Sequence, residues 1–301
     1  MNAASHKKHS AQEASKQDPA EQDPAEEDPV VRGPVVGVFD SGFGGLTVLR
    51  ALLPRIASAN YIYLGDTARL PYGAKSQATI ARYAVESARF LEERSCEYLV
   101  IACNTATALA LEDIRRAVSV PVLGVIEPGA NAAKRTIAAA GGDVLVLATA
   151  ATVQSHAYRE ACAAVGMRAT EVACPLLVPL VEEGWIDHPV TREVLRIYLS
   201  EALMKCAPEA VLLGCTHYPL IAGTIEKTLR ELGSDAVVID SAEATAEAAE
   251  AALAATVEAS LPATAATFEC FATDSVEKFQ RLGSLFLRRP IGQVHHLDLG
   301  G

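Results

Sequence analysis

The sequence has no CxxC pair, no run of about 18 uninterrupted apolar residues and no excess of positive charge. Each absence excludes something. Seven cysteines, an odd number at irregular spacing, do not make a disulfide framework; they read as free thiols in a reducing compartment, and the cytoplasm is expected. Without a long apolar run, no transmembrane helix is expected. The N-terminal bases are not followed by an apolar core, so no secretory signal is read. A formal charge of −11 argues against general nucleic-acid binding, because phosphates would be repelled. No second cysteine pair or ligand cluster accompanies the thiols, so no metal site is expected.

The first 32 residues carry seven acids and four bases, leaving −8 for the remainder. In this stretch Asp18-Pro19-Ala20-Glu21 recurs as Asp23-Pro24-Ala25-Glu26. Charge, proline and the lack of large apolar side chains predict a disordered acidic tail over 1–33. Removing it is expected to leave turnover intact.

What remains is organised around two similar stretches. One is Glu97-Tyr98-Leu99-Val100-Ile101-Ala102-Cys103-Asn104-Thr105-Ala106, and the other is Glu209-Ala210-Val211-Leu212-Leu213-Gly214-Cys215-Thr216-His217-Tyr218. Short apolar runs between helical patterns read as buried parallel strands. Each cysteine then falls where a strand ends and a helix is about to begin, the place where open α/β sheets hold their ligands. Backbone N–H groups at a helix start are expected to lower a thiol pKa. Two such cysteines suggest one site built from two related halves. Cys96, Cys162, Cys174, Cys206 and Cys270 read as packing.

Strand–helix alternation along the chain predicts the α/β class, with mostly parallel sheets. Strands are expected at Val35–Phe39, Tyr61–Leu64, Val120–Val125, Val144–Ala148, Val237–Ser241, Phe268–Ala272 and Val294–Leu299. Helices are expected from Leu46 to near Pro54, over 76–94, through Ala132 to Ala140, from about Thr191 to Lys205 and over Ser275–Leu282. Residues Thr149 to Ser155 read as a loop opening a helix, and Ser241 as the cap of the alanine-rich helix behind it.

The turn Asp40-Ser41-Gly42-Phe43-Gly44-Gly45 lacks the Lys-Ser/Thr of a P-loop and the third glycine of a dinucleotide fingerprint, and Asp40 would repel phosphate. Its glycines are expected to let a small ligand approach the backbone closely. Asp40 is a candidate to face an ammonium or orient a base, and Ser41 to donate to a carboxylate. Gly65-Asp66-Thr67-Ala68-Arg69-Leu70-Pro71-Tyr72-Gly73-Ala74-Lys75 is a second loop dense in polar groups.

Four motifs in order, Asp40–Gly45, Gly65–Arg69 with Pro71-Tyr72-Gly73, Ala102–Ala106 and Gly214–Pro219, resemble the glutamate racemases. These are cofactor-independent enzymes that supply D-glutamate for peptidoglycan. The resemblance covers roughly residues 35 to 299. It implies two pseudo-symmetric α/β lobes with the site in the cleft between them: 34–126 with 240–299 carrying Cys103, and 127–239 carrying Cys215. It implies that Cys103 and Cys215 are the catalytic acid/bases. Asp40, Ser41, Tyr72, Gly73, Asn104, Thr105, Thr216 and His217 would line the substrate, and Glu182 matches a family glutamate near the second cysteine. It further implies glutamate as the substrate, no cofactor, a homodimer and, in some relatives, activation by a peptidoglycan precursor. The alternatives are an aspartate racemase or another two-cysteine racemase, a cysteine hydrolase using Cys215 and His217, and a non-catalytic amino-acid receptor.

Overall fold

The computed structural model describes residues 33–137, 141–254 and 266–300; the acidic tail lies outside them. Among the described residues, ten strands form two sheets. The first contains β1 (Val35–Asp40), β2 (Asn60–Gly65), β3 (Tyr98–Ile101), β4 (Val122–Gly124), β9 (Thr267–Ala272) and β10 (Val294–His296), in the order β10-β9-β2-β1-β3-β4. The second contains β5 (Asp143–Ala148), β6 (Arg168–Ala173), β7 (Ala210–Gly214) and β8 (Val237–Asp240), in the order β6-β5-β7-β8. Every pairing is parallel. β2-β1-β3-β4 and β6-β5-β7-β8 therefore follow one order, and β9 and β10 are appended to the first.

The apolar runs fold as their composition requires. β3 and β7 are buried along their whole length, as strands covered by helices on both faces must be. Helix α1 (Leu46–Arg55) follows β1, and α2 (Gln77–Glu93) follows the loop after β2. α2 buries Ile80, Ala84, Ala88 and Leu91 on one face, and the Ser76 hydroxyl caps it by accepting from the Thr79 N–H. α3 (Asn104–Ala117) begins directly after Cys103 and buries Ala106, Ala110 and Ile114 at four-residue spacing.

Several elements depart from the sequence expectation. α4 runs from Ile126 to Thr136, so it begins before Gly129. Pro128 sits in its first turn, where no intrahelical N–H bond is lost. Thr149–Ser155 is not a loop: Thr149 caps α5 (Ala150–Ser155) by accepting from Thr152 N–H. α6 (Ala157–Ala164), α7 (Leu177–Glu182), α9 (Ala222–Glu231) and edge strand β6 were not among the expected elements, although α9 buries Ile225 and Leu229 at four-residue spacing. The expected helix around 191–205 is α8 (Pro189–Leu203), and that near the C-terminus is α11 (Val276–Leu287), longer than expected. Ser241 does not cap α10 (Ser241–Ala254). Its hydroxyl donates to the Leu213 carbonyl, and Asp240 Oδ1 accepts from Ala242 N–H instead.

Candidate active site

In each sheet the chain passes from the first strand to one neighbour and then to the other. The gap between β1 and β3 is one switch point, and that between β5 and β7 is the other. Asp40-Ser41 and Cys103 leave the C-terminal ends of β1 and β3. Thr149 and Cys215 leave the corresponding ends of β5 and β7. A cavity of about 490 Å³ lies between them, within the size range of small-molecule sites, about 300–1,000 Å³. Ser41, Tyr72, Gly73, Cys103, Asn104, Thr105, Glu182, Cys215, Thr216 and His217 all line it.

Asp40 is the exception. It lies one residue behind the wall and is 1% exposed. Its Oδ2 accepts from the Gly42 N–H at 2.9 Å, while Oδ1 has no hydrogen-bond partner among the described residues. Burial pushes its carboxyl above the usual range, against the pull of His217 and the neighbouring backbone N–H groups.

Both thiols are buried. Cys103 occupies the cap position of α3: its sulfur accepts from Ala106 N–H at 3.4 Å and its S–H donates to Ser41 Oγ at 3.4 Å. The expectation of a lowered pKa is overturned. Burial, assisted by the negative charge of Asp40, pushes the Cys103 thiol up to about 11, and the bonds from Ser41 and Ala106 offset only part of this. Burial pushes the Cys215 thiol up as well. Cys215 also lacks a regular helix start. It sits in a bend, and a turn and the 3₁₀ turn Tyr218–Ile221 follow it.

His217 stands 3.9 Å from Cys215 Sγ through Nδ1 and 3.3 Å from Glu182 Oε1 through Nε2. Its ring packs on Phe43 at 6.0 Å and meets Phe286 edge-on at 5.0 Å. Desolvation raises the Glu182 carboxyl, but His217 and Lys278 together hold it below the ordinary glutamate value.

Gly44 of the first motif serves a different neighbour from the one expected. A methyl group on Gly44 would lie 2.3 Å from Thr216 Oγ1 and 2.7 Å from His217 Nδ1. What approaches this backbone so closely is therefore the second cysteine stretch itself. The Thr47 hydroxyl also bonds the Thr216 carbonyl at 3.3 Å.

Other contacts bind the two cleft walls together. The Tyr158 hydroxyl donates to Asn104 Oδ1. Asn104 Nδ2 has no partner among the described residues and is a free donor at the cleft. The Thr105 hydroxyl lies 3.0 Å from that of Thr149 and 3.3 Å from that of Thr152. Tyr72 gives its hydroxyl to Asp66 at 2.6 Å, which leaves its ring edge and the Gly73 backbone at the cavity.

Thr149 and Lys278 line the cavity although the sequence reading did not select them. Thr149 was legible as the counterpart of Ser41 after the second sheet's first strand. Lys278 carried no signal, since a lysine in an amphipathic helix reads as solvated surface. Among the described residues, no group of three His, Cys, Asp or Glu side chains is arranged to hold a metal, and no helix is long and apolar enough to cross a membrane.

Two like parallel sheets with a thiol from each on the wall of one cavity make an α/β fold whose site is built from two similar halves. The model of the family described as Asp/Glu/Hydantoin racemase matches residues 46–249. A glutamate racemase of Koribacter versatilis is 49% identical over 289 residues, spanning 88% of this chain and 98% of its own length. The structure of the Francisella tularensis glutamate racemase in complex with D-glutamate is 32% identical with a TM-score of 0.78, covering 89% of this chain and 98% of that one. The Escherichia coli glutamate racemase, solved with L-glutamate and the activator UDP-MurNAc-ala, is 29% identical with a TM-score of 0.71, covering 89% and 100%. The chain belongs to the Asp/Glu/Hydantoin racemase family and is an isomerase acting on amino acids.

Proposed function

We propose that the chain interconverts L- and D-glutamate by two-base proton transfer between Cys103 and Cys215. Its glutamate racemase relatives support the substrate. The observation that carries the mechanism is the placement of one buried thiol at each of two corresponding switch points, both on the wall of one cavity.

Racemisation removes the α-proton from one face and returns a proton to the other. Two bases on opposite faces do this without turning the substrate. One must begin as thiolate and the other as thiol, and each turnover exchanges their roles. Thiols pushed up by burial give strongly basic thiolates but need help to ionise. His217 offers that help to Cys215: the Glu182 carboxylate can only accept, so it holds the imidazole proton on Nε2 and leaves the Nδ1 lone pair toward the sulfur. On the other side the Ser41 hydroxyl accepts from the Cys103 thiol and orients it, with Asp40 behind.

The carbanion forms beside a carboxylate already carrying charge, so donors fixed in advance must hold the developing dianion. Asn104 Nδ2 and the hydroxyls of Thr105 and Thr216 supply them. Ser41 and the Tyr72-Gly73 backbone receive the other carboxylate, and Glu182, on the cavity wall, offsets the ammonium. No cofactor takes part in this scheme. The working lobes are 34–126 with 240–299, and 127–239. We assign the product to peptidoglycan synthesis, place the enzyme in the cytoplasm as a homodimer, and extend to it activation by a peptidoglycan precursor, as the E. coli relative was solved with its activator UDP-MurNAc-ala.

The test supplies L- and D-glutamate separately in heavy water without added cofactor, with aspartate in parallel. Both glutamate isomers should converge on an equal mixture, with early product labelled at the α-carbon and recovered substrate unlabelled. Cys103→Ser and Cys215→Ser should each abolish full racemisation. Label entering without inversion would leave a single working base and overturn the pairing. Faster turnover of aspartate would overturn the substrate.

A further inference from the structure

Glu182 uses both of its carboxylate oxygens, and they face different parts of the molecule. Oε1 meets His217 Nε2 at 3.3 Å, and Oε2 accepts from Lys278 Nζ at 3.3 Å. Glu182 is the last residue of α7, in the stretch between β6 and β7 of the four-stranded sheet. Lys278 lies in the first turn of α11, between β9 and β10 of the six-stranded sheet. The ion pair therefore ties together segments belonging to the two sheets, and both residues line the cavity.

Lys278 also stands 5.6 Å from the centre of the Phe43 ring, and Phe43 packs on His217. From the same helix, Phe286 meets the edge of His217. Lys278, Leu282 and Phe286 recur at four-residue spacing and share one face of α11. That face reaches a single imidazole twice, once by ring contact and once through Glu182.

Stability does not account for the placement. The Lys278 side chain is 48% exposed, and ion pairs so open to solvent contribute little. A lysine in the first turn of a helix also opposes the helix dipole. The geometric consequence is larger. Glu182 ends a six-residue helix, and its carboxylate is held by His217 on one oxygen and by Lys278 on the other. Lys278 holds Oε2 and so presents Oε1 to His217. The family match ends at residue 249, before α11 begins.

We infer that Lys278 is a positioning residue for proton transfer at Cys215: by pinning Glu182 from the other sheet's side of the cleft, it holds His217 against the thiol. The inference rests on the two-base reading above. The charged and titratable groups around the relay are Asp40 from β1, Cys215 after β7, Glu182 and Glu183 at the end of α7, and Lys278 from α11.

Two enantiomers have equal free energies, so any substitution must change kcat/KM by one factor in both directions. Lys278→Met should lower it about tenfold, part of the roughly 10²–10⁴-fold that a positioned acid or base contributes. The diagnostic is the isotope effect with α-deuterated L- and D-glutamate. A slowed step at Cys215 raises the effect only for the enantiomer whose α-deuteron Cys215 removes; a general loss of structure raises neither selectively. Lys278→Arg, which keeps the charge and reach, should restore the rate and the wild-type pair of isotope effects. Wild-type rates in Lys278→Met, or isotope effects altered equally for both enantiomers, would overturn the inference. If the methionine variant does not fold, Lys278→Gln is read by the same criteria. Cys215→Ser, run beside them, separates the two claims. Full racemisation by that variant would sink the two-base reading, whereas its inactivity beside an unaffected Lys278→Met would sink only the role of Lys278.

Discussion

Tyr72 shows how a side chain at a cleft can face away from it. Its hydroxyl donates to Asp66 Oδ2, and the Thr273 hydroxyl donates to Oδ1 of the same fully buried carboxylate. The nearest other partner of Oδ2 is the Arg69 guanidinium, at 3.7 Å. Tyr72→Phe would leave that oxygen poorly partnered at a cost of about 1–3 kcal/mol. Thermal unfolding should therefore report a destabilised protein, while KM for glutamate stays at the wild-type value. A raised KM with unchanged stability would instead place the hydroxyl on the substrate. The motif was legible in the sequence as a polar loop, but the direction of the hydroxyl was not, because Thr273 lies far along the chain.

At the level of single elements, periodic signals were reliable where a helix has one buried face. The residues expected on the buried face of α2, namely Ile80, Ala84, Ala88 and Leu91, are all buried. β6 escaped because Arg168-Ala169-Thr170-Glu171-Val172-Ala173 is an edge strand with few large apolar residues. Helix starts were the weakest reading, since several residues at a boundary can accept from the first turn. At α10 the two candidates are adjacent. Asp240→Ala should cost about 1 kcal/mol through loss of the cap, and lower the melting temperature by about 2–4 °C. Asp240→Asn should retain most of the cap. Equal melting temperatures for wild type and Asp240→Ala would show that the Ala242 N–H bond does not hold the helix.

For the molecule as a whole, the buried thiols set a direction for stability against pH. Burial pushes Cys103 and Cys162 up to about 11, and Cys96, Cys174 and Cys270 to about 12, from an ordinary value of 9.0. The folded chain therefore keeps these protons after the unfolded chain has begun to lose them. Their contribution is fully present below about pH 9 and is lost as pH rises toward 11 and 12. Melting temperatures measured at successive pH values should fall through this window. A flat profile from pH 9 to about 11 would mean that the thiols titrate normally in the folded state.

The sequence by itself determined the α/β class, the buried strands and the two cysteine stretches, because apolar periodicity and strand-end motifs are properties of consecutive residues. It also carried most of the cleft, since those residues sit directly after strands. The tertiary structure alone decided which groups meet there. Glu182 and Lys278 are 96 residues apart, and Thr47 and Thr216 are 169 apart. It decided the protonation of the thiols too. A helix start favours the thiolate by local geometry, but desolvation comes from everything packed around the sulfur, and here it prevails.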